Sequence, residues 1–236
     1  MLQGMRRGVA EMLGRRRLPR VVRTVGEESL TYLSESALHD LYRQVRRVEE
    51  AGMDGILVEA GCALGGSAIV IATAKERERP FFVYDTFGMI PPPSERDGAD
   101  VHARYETIAS GQSRGIGGHK YYGYEDDLRG KVTANFRRHH VPVEENNVHL
   151  VQGLFQETMH VTGPVALAHI DGDWFESVMT CLQRLEPHLV PGGVLVIDDY
   201  DDWSGCRDAV DEYFRDRRAS YDFVRRSRLH IVRLTA

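Results

Sequence analysis

Across residues 34–52 the chain places Leu38, Leu41, Val45 and Val48 three and four positions apart. That is the apolar stripe of an amphipathic helix, and Gly52 stops it. The period then changes. DGILVEAG, residues 54–61, is a short β-branched run of buried-strand type, GGSAIVIATAKERE reads as a helix, and PFFVYDTF is a second strand ending in Asp85. From residue 88 to about 143 the alternation breaks down around three consecutive prolines, a glycine-rich SGQSRGIGG and an aromatic HKYYGYEDD. Structureless connections of that length are uncommon in compact domains and are usually functional lids or disordered when they occur. The segment therefore reads as a lid inserted over a site, partly helical near LRGKVTANFRRH.

Alternation resumes with the strands NVHLVQG and VALAHID, the helix WFESVMTCLQRLEPHL, the strand GGVLVIDD and the helix CRDAVDEYFRDRR. YDFVRR and RLHIVRL close the chain as a pair, antiparallel in the simplest reading. Apolar strands alternating with helices predict a parallel sheet covered on both faces, the doubly wound α/β class. Residues 1–52 read as an N-terminal arm and helix packed on the core. Residues 53–236 read as one Rossmann-like domain carrying the lid.

In such sheets ligands bind at the carboxyl ends of the strands. Glu59, Asp85, Asp171, Asp198 and Asp199 all stand at predicted strand ends, so they converge on one rim. The turn VEAGCALGGSA carries Gly61, Gly65 and Gly66, which let the backbone approach a ligand closely at a helix N-terminus. It is neither a P-loop nor GxGxxG. Glu59 beside that turn suits a cationic ligand such as the sulfonium or ammonium of S-adenosylmethionine, and Asp85 suits a ribose diol. Asp171 and the pair Asp198-Asp199 end two successive strands. Carboxylates so close raise one another's pKa unless a cation balances them, and an all-oxygen set suits Mg²⁺ rather than zinc. Asp173 with Glu176 also matches a D-x-x-E capping box, a structural reading as good as a catalytic one. His169 reads as a core residue, and Asp201 and Asp202 as solvated charges.

Composition narrows the class without changing this picture. The 236 residues are 42% hydrophobic with a net charge of −5, which argues for a folded chain and against nucleic-acid binding. Three cysteines without a CxxC pair suggest reducing, cytoplasmic surroundings, and no apolar run is long enough to span a membrane. The first 23 residues hold seven arginines and one glutamate, read as an Arg-rich helical arm.

The motifs TYLS, LVEAGCALGGSA, VYDTFGMIPPP, VQGLFQET, HIDGDWFES and GGVLVIDDYDDWSGCRDAVDEY together resemble the macrocin O-methyltransferase family over about residues 31–213. These are metal- and S-adenosylmethionine-dependent enzymes that methylate sugar hydroxyls in macrolide and aminocoumarin biosynthesis. The resemblance implies a class I methyltransferase-like fold, with Asp171, Asp198 and Asp199 as magnesium ligands. It implies Asp173 as general base, or Asp171 itself. It places Glu59, Gly61 and Gly65 near the methionine moiety, with Ser67 and Asp171 in the same cofactor set. Asp85 falls on the ribose, Gly153, Leu154 and Phe155 beside the adenine, and Tyr32 on an arm closing over the cofactor. The chain departs from the family pattern at Cys62-Ala63-Leu64 and in GIGGHKYYGYEDDLRGK, where Tyr121, Tyr122 and Tyr124 would either meet the acceptor or serve packing.

The expected activity is methyl transfer to a hydroxyl of a sugar or similar vicinal diol, with Mg²⁺ activating that hydroxyl. The acceptor is a small hydroxylated molecule: a glycosylated natural product, a nucleotide-linked sugar, a saccharide or a catechol-like diol. A homo-oligomer without nucleic-acid or membrane partners is expected. The competing readings are a nicotinamide-dependent oxidoreductase on the same fold and a non-catalytic methyltransferase-like scaffold.

Overall fold

The computed structural model describes residues 18–235, so residues 1–17 of the arginine-rich arm lie outside the described residues. Two helices come first, α1 (Arg20–Glu27) and α2 (Glu35–Glu50). Ser34 starts α2 by accepting the Ala37 N–H at 3.3 Å, an N-cap that satisfies one of the orphan donors of the first turn. The predicted stripe Leu38, Leu41, Val45 and Val48 is its buried face.

Strand–helix alternation follows: β1 (Ile56–Ala60), α3 (Gly66–Ala74), β2 (Phe81–Asp85), α4 (Ala99–Ala109), α5 (Leu128–Arg138), β3 (Val148–Gln152) and the single turn α6 (Phe155–Thr158). Then come β4 (Val165–Ile170), α7 (Phe175–Leu185), β5 (Leu189–Ile197), α8 (Ser204–Tyr213), β6 (Tyr221–Arg225) and β7 (Leu229–Arg233). The seven strands lie in the order β3-β2-β1-β4-β5-β7-β6. The first five are parallel, β7 runs antiparallel to β5, and β6 runs antiparallel to β7, as the closing pair suggests.

Successive strand residues point to opposite faces, so each strand feeds two cores. Leu57, Leu167, Val194 and Val196 pack with α1, α2, α3 and α5. Val58, Ala168, Leu195 and Ile197 pack with α7 and α8. All six residues of β4, the central strand between β1 and β5, are buried. The N-terminal helices therefore share a core with the sheet: Val22, Val25, Leu38 and Val45 are fully buried in the same cluster as Leu57. Each such side chain contributes roughly 1.5–3 kcal/mol by leaving water. The three cysteines are free and buried. Among the described residues no helix is long and apolar enough to cross a membrane.

The segment read as a lid divides in two. Its second half is α5, whose Leu128, Val132 and Phe136 belong to the core beside α3. The physical reason is connectivity: β2 and β3 pair in parallel, and a parallel pair needs a crossover, usually a helix. Only the first part, residues 88–127, with α4 and short turns, extends over the rim.

Candidate active site

Register builds the rim. Ala60 pairs with Ile170, and Ile170 with Ile197, so the next residues, Gly61, Asp171 and Asp198, stand in a row at the carboxyl ends of β1, β4 and β5. The ladder continues one step beyond the strands: Gly61 N–H donates to Tyr84 O (2.8 Å), Asp171 N–H to Ala60 O (2.8 Å) and Asp198 N–H to Ile170 O (2.9 Å). Gly61 has φ = 85°, and a Cβ there would run into the Asp171 carbonyl, so only glycine fits. On β2, Asp85 Oδ2 accepts the Cys62 N–H at 2.8 Å and Oδ1 the Phe87 N–H at 2.7 Å. A carboxylate has about four lone-pair sites, so Asp85 braces the turn and still has capacity to accept from a ribose.

Asp171, Asp173 and Asp199 each offer one carboxylate oxygen within 4.8 Å of the others. Asp173 reaches this cluster through a left-handed backbone, φ = 52°, with its N–H donating to Asp199 Oδ2 at 3.3 Å. Burial, followed by the neighbouring aspartates, pushes Asp171 and Asp199 well above the usual carboxylate range. Burial and Asp198 push Asp173 up to about 6. An all-oxygen set with this much unrelieved repulsion fits a hard divalent cation, which would satisfy the charge and accept several carboxylates.

Asp198 has a different environment. Ile197 pairs with Leu229, so Asp198 and Arg228 are brought side by side, and Arg228 Nε donates to Asp198 Oδ1 at 2.7 Å. Asp40 of α2 fixes the turn before Arg228 by accepting from Ser227 Oγ at 2.5 Å. On the other side of Asp198, His169 Nε2 lies 3.6 Å from the same oxygen. Its Nδ1 lies 2.9 Å from Glu59 Oε1, its cross-strand neighbour. Burial alone would raise Asp198, yet His169 and Arg228 hold it below its ordinary value. Burial alone would lower His169, yet Asp198 and Glu59 raise it to about 9. His169 is thus a core residue bridging two buried acids.

Two compartments meet over this rim. A narrow groove is lined by Gly61, Asp85, Ile90, Leu154, Phe155 and Ser177. A cleft of ≈ 410 Å³ is lined by Tyr32, Arg104, Tyr121, Trp174, Trp203 and Arg228. Asp171 and Asp173 line both compartments, whereas Asp198 and Asp199 line the cleft alone. The groove sets the Asp85 carboxylate opposite the apolar Leu154 and Phe155. The cleft brings aromatic and charged side chains to the same acids.

Other expected residues stand behind these walls. Glu59 is wholly buried against His169 and does not line either compartment. Ser67 is buried in the first turn of α3, and Gly65, at φ = 88°, faces Val132 and Phe136 of α5. Gly153 closes the turn after β3 by donating to Asp85 O at 3.0 Å. The capping box at Asp173 does not form: α7 has Trp174 at its N-cap, and Asp97 from the inserted segment takes the Phe175 N–H instead. The left-handed turn at Asp173 aims its carboxylate at the cluster rather than back at the helix. Of the three tyrosines expected over the acceptor, Tyr121 and Tyr122 line the cleft. Tyr124 ties the insertion together, donating to Ile108 O at 2.5 Å.

Arg104, Arg228, Trp174 and Trp203 escaped the sequence reading. A signal existed for the last two, because the chain's two tryptophans stand directly after Asp173 and four residues after Asp199. Their rings meet edge to face at 5.8 Å. Arg228 depends on strand register, and Arg104 on the insertion's path, neither of which a local pattern carries.

A doubly wound sheet with a reversed terminal hairpin, a glycine turn after β1 and an acid after β2 defines a class I methyltransferase-like enzyme. The family model for macrocin-O-methyltransferase (TylF) matches residues 10–225, and the chain belongs to that family. It is an S-adenosylmethionine-dependent O-methyltransferase. Among its relatives, the 8-demethyl-8-(2,3-dimethoxy-alpha-L-rhamnosyl)-tetracenomycin-C 4'-O-methyltransferase of Streptomyces olivaceus is 33% identical, over 78% of this chain and 67% of that protein. Demethyldecarbamoylnovobiocin O-methyltransferase of Streptomyces niveus is 29% identical, over 82% of this chain and 70% of its own. Among solved structures, the O-methyltransferase NovP superposes with a TM-score of 0.72 at 26% identity, covering 87% of this chain and 83% of that one. Neither the nicotinamide reading nor the scaffold reading finds a counterpart among these relatives.

Proposed function

We propose that the enzyme transfers the methyl group of S-adenosylmethionine to a hydroxyl of a sugar-bearing natural product, using a divalent cation held by Asp171, Asp198 and Asp199. The observation that carries this reading is the junction of the two compartments at Asp171 and Asp173, where a donor in the groove and an acceptor in the cleft would reach the same acids. The relatives named above act on a rhamnosyl tetracenomycin and on demethyldecarbamoylnovobiocin, and the rhamnosyl group of the first supports a glycosylated acceptor here.

A divalent ion, most simply Mg²⁺, would supply positive charge that lowers the pKa of an acceptor hydroxyl. The residues divide the remaining work. Asp198, kept ionised by Arg228 and His169, suits a permanent ligand. Asp173, which lines both compartments beside the proposed ligands, takes the hydroxyl proton on its carboxylate, a step worth about 10²–10⁴-fold in general-base catalysis. Gly61, Asp85, Leu154 and Phe155 would hold the donor. Tyr32, Trp174 and Trp203 wall the acceptor and exclude water. The transfer itself is governed by orientation, because nucleophile, methyl and sulfur must lie in line.

The test pairs turnover with binding. Asp199→Asn and EDTA treatment should each lower methylation of a panel of rhamnosylated and aminocoumarin acceptors by at least 100-fold. S-adenosylhomocysteine binding by calorimetry should stay within threefold. Full turnover in EDTA would remove the cation from the mechanism, and a protein blind to S-adenosylhomocysteine would remove the donor.

A further inference from the structure

The helices that follow the two acid loops lack caps of their own. Both α7 and α8 have a tryptophan at the N-cap, Trp174 and Trp203, and neither side chain makes a capping hydrogen bond. One stretch of the inserted segment, residues 91–100, supplies what is missing. Asp97 Oδ1 accepts the Phe175 N–H at 2.8 Å, and its Oδ2 is held by the Ser94 N–H at 2.9 Å. Asp100 Oδ2 accepts the Ser204 N–H at 3.0 Å, and its Oδ1 the Ser204 hydroxyl at 2.5 Å. Pro91 O accepts the Trp174 indole N–H at 3.0 Å. Arg96 lies 4.0 Å above the Phe175 ring and reaches Glu212 of α8 at 2.6 Å.

Space has been cleared for this contact. A Cβ on Gly205 would collide with the Asp97 carboxylate, and a Cβ on Gly98 with the Ser204 hydroxyl. Asp97 is buried, although it sits in an inserted loop.

We infer that residues 91–100 act as a clasp that sets the spacing of the two acid loops, with Asp97 and Asp100 as positioning residues acting through the N-termini of α7 and α8. The inference rests on the site proposed above but reads a different property. The loop carrying Asp171 and Asp173 ends where Asp97 binds, and the loop carrying Asp198 and Asp199 ends where Asp100 binds. Ile90, next to the clasp, lines both compartments. Docking of the insertion and assembly of the acid cluster are then one event, and ligands in the cleft favour the docked state.

Asp97→Ala and Asp100→Ala, separately and together in the full chain, test this by amide hydrogen exchange and by Mn²⁺ titration. Exchange should accelerate at least tenfold at residues 171–177 in Asp97→Ala and at residues 204–207 in Asp100→Ala. The glycine turn at residues 61–66 should stay unchanged. Mn²⁺ affinity should fall at least fivefold in the double variant. Asp97→Asn, which keeps an acceptor for Phe175 but turns a donor toward the Ser94 N–H, should recover only part of the loss. Exchange that stays at wild-type rates in both loops, or rises equally across the domain, overturns the clasp. If the wild type itself takes up no Mn²⁺, the cation proposal fails, and the exchange pattern alone decides the clasp.

Discussion

At Asp173 the backbone turns left-handed, φ = 52°, a conformation that aspartate tolerates better than most residues and that still carries strain. The strain places a carboxyl whose pKa, about 6, stands above its unfolded value near 3.9. A raised carboxyl favours the folded state when protonated. Its contribution is complete below about pH 4 and is lost as pH climbs through 6. The metal-free protein should therefore lose melting temperature between pH 4.5 and 7, and Asp173→Asn should flatten that decline. Adding Mg²⁺ to the wild type should flatten it as well. Equal slopes for wild type and variant in thermal melts would show that Asp173 is not held in this state. Gly61→Ala is a second residue-scale prediction. It places a side chain at φ = 85° against the Asp171 carbonyl, so it should cost about 1–3 kcal/mol in urea unfolding and abolish S-adenosylhomocysteine binding.

Among elements, α5 shows how a crossover helix serves a site it does not line. Asn135, buried on its inner face, donates Nδ2 to Leu64 O of the glycine turn at 2.9 Å. Asn135→Ala leaves that carbonyl without its donor, at a cost of about 1–3 kcal/mol. The expected outcome is weaker S-adenosylhomocysteine binding with Mn²⁺ affinity unchanged, measured by paired titrations. The sheet elements were legible in the chain because their apolar runs end in chemistry: β1, β2, β4 and β5 each close on Gly61 or an aspartate. Helix α2 was equally legible from its stripe and its Ser34 cap. Helix α5 was only partly legible, since its pattern sits inside a glycine- and tyrosine-rich stretch that resembles one long loop. Its role as the β2–β3 crossover follows from strand order, and strand order is not a local property.

For the whole molecule, donor, cation and folded chain form one linked system. At a free concentration one hundred times its dissociation constant, S-adenosylhomocysteine should stabilise the protein by about 2.7 kcal/mol, and NAD should leave it unmoved. Melting curves with and without Mg²⁺ should show the two ligands adding to each other, because they occupy adjoining compartments that share Asp171 and Asp173. A melting temperature indifferent to S-adenosylhomocysteine at saturating concentration would contradict the assignment of the groove.

What the sequence determined by itself was the inventory: acids at strand ends, glycines at the first turn, and the period changes that separate strand from helix. These are local because steric limits on φ and ψ and the burial of alternate side chains act over a few residues. The tertiary structure alone decided how the acids divide. Pairing of Ile197 with Leu229 delivers Arg228 to Asp198, pairing of Glu59 with His169 buries a bridging cation, and the insertion carries Asp97 and Asp100 to helices more than seventy residues away. Coulombic balance and hydrogen bonding depend on distance in space, and only the register of the sheet and the path of the insertion set those distances.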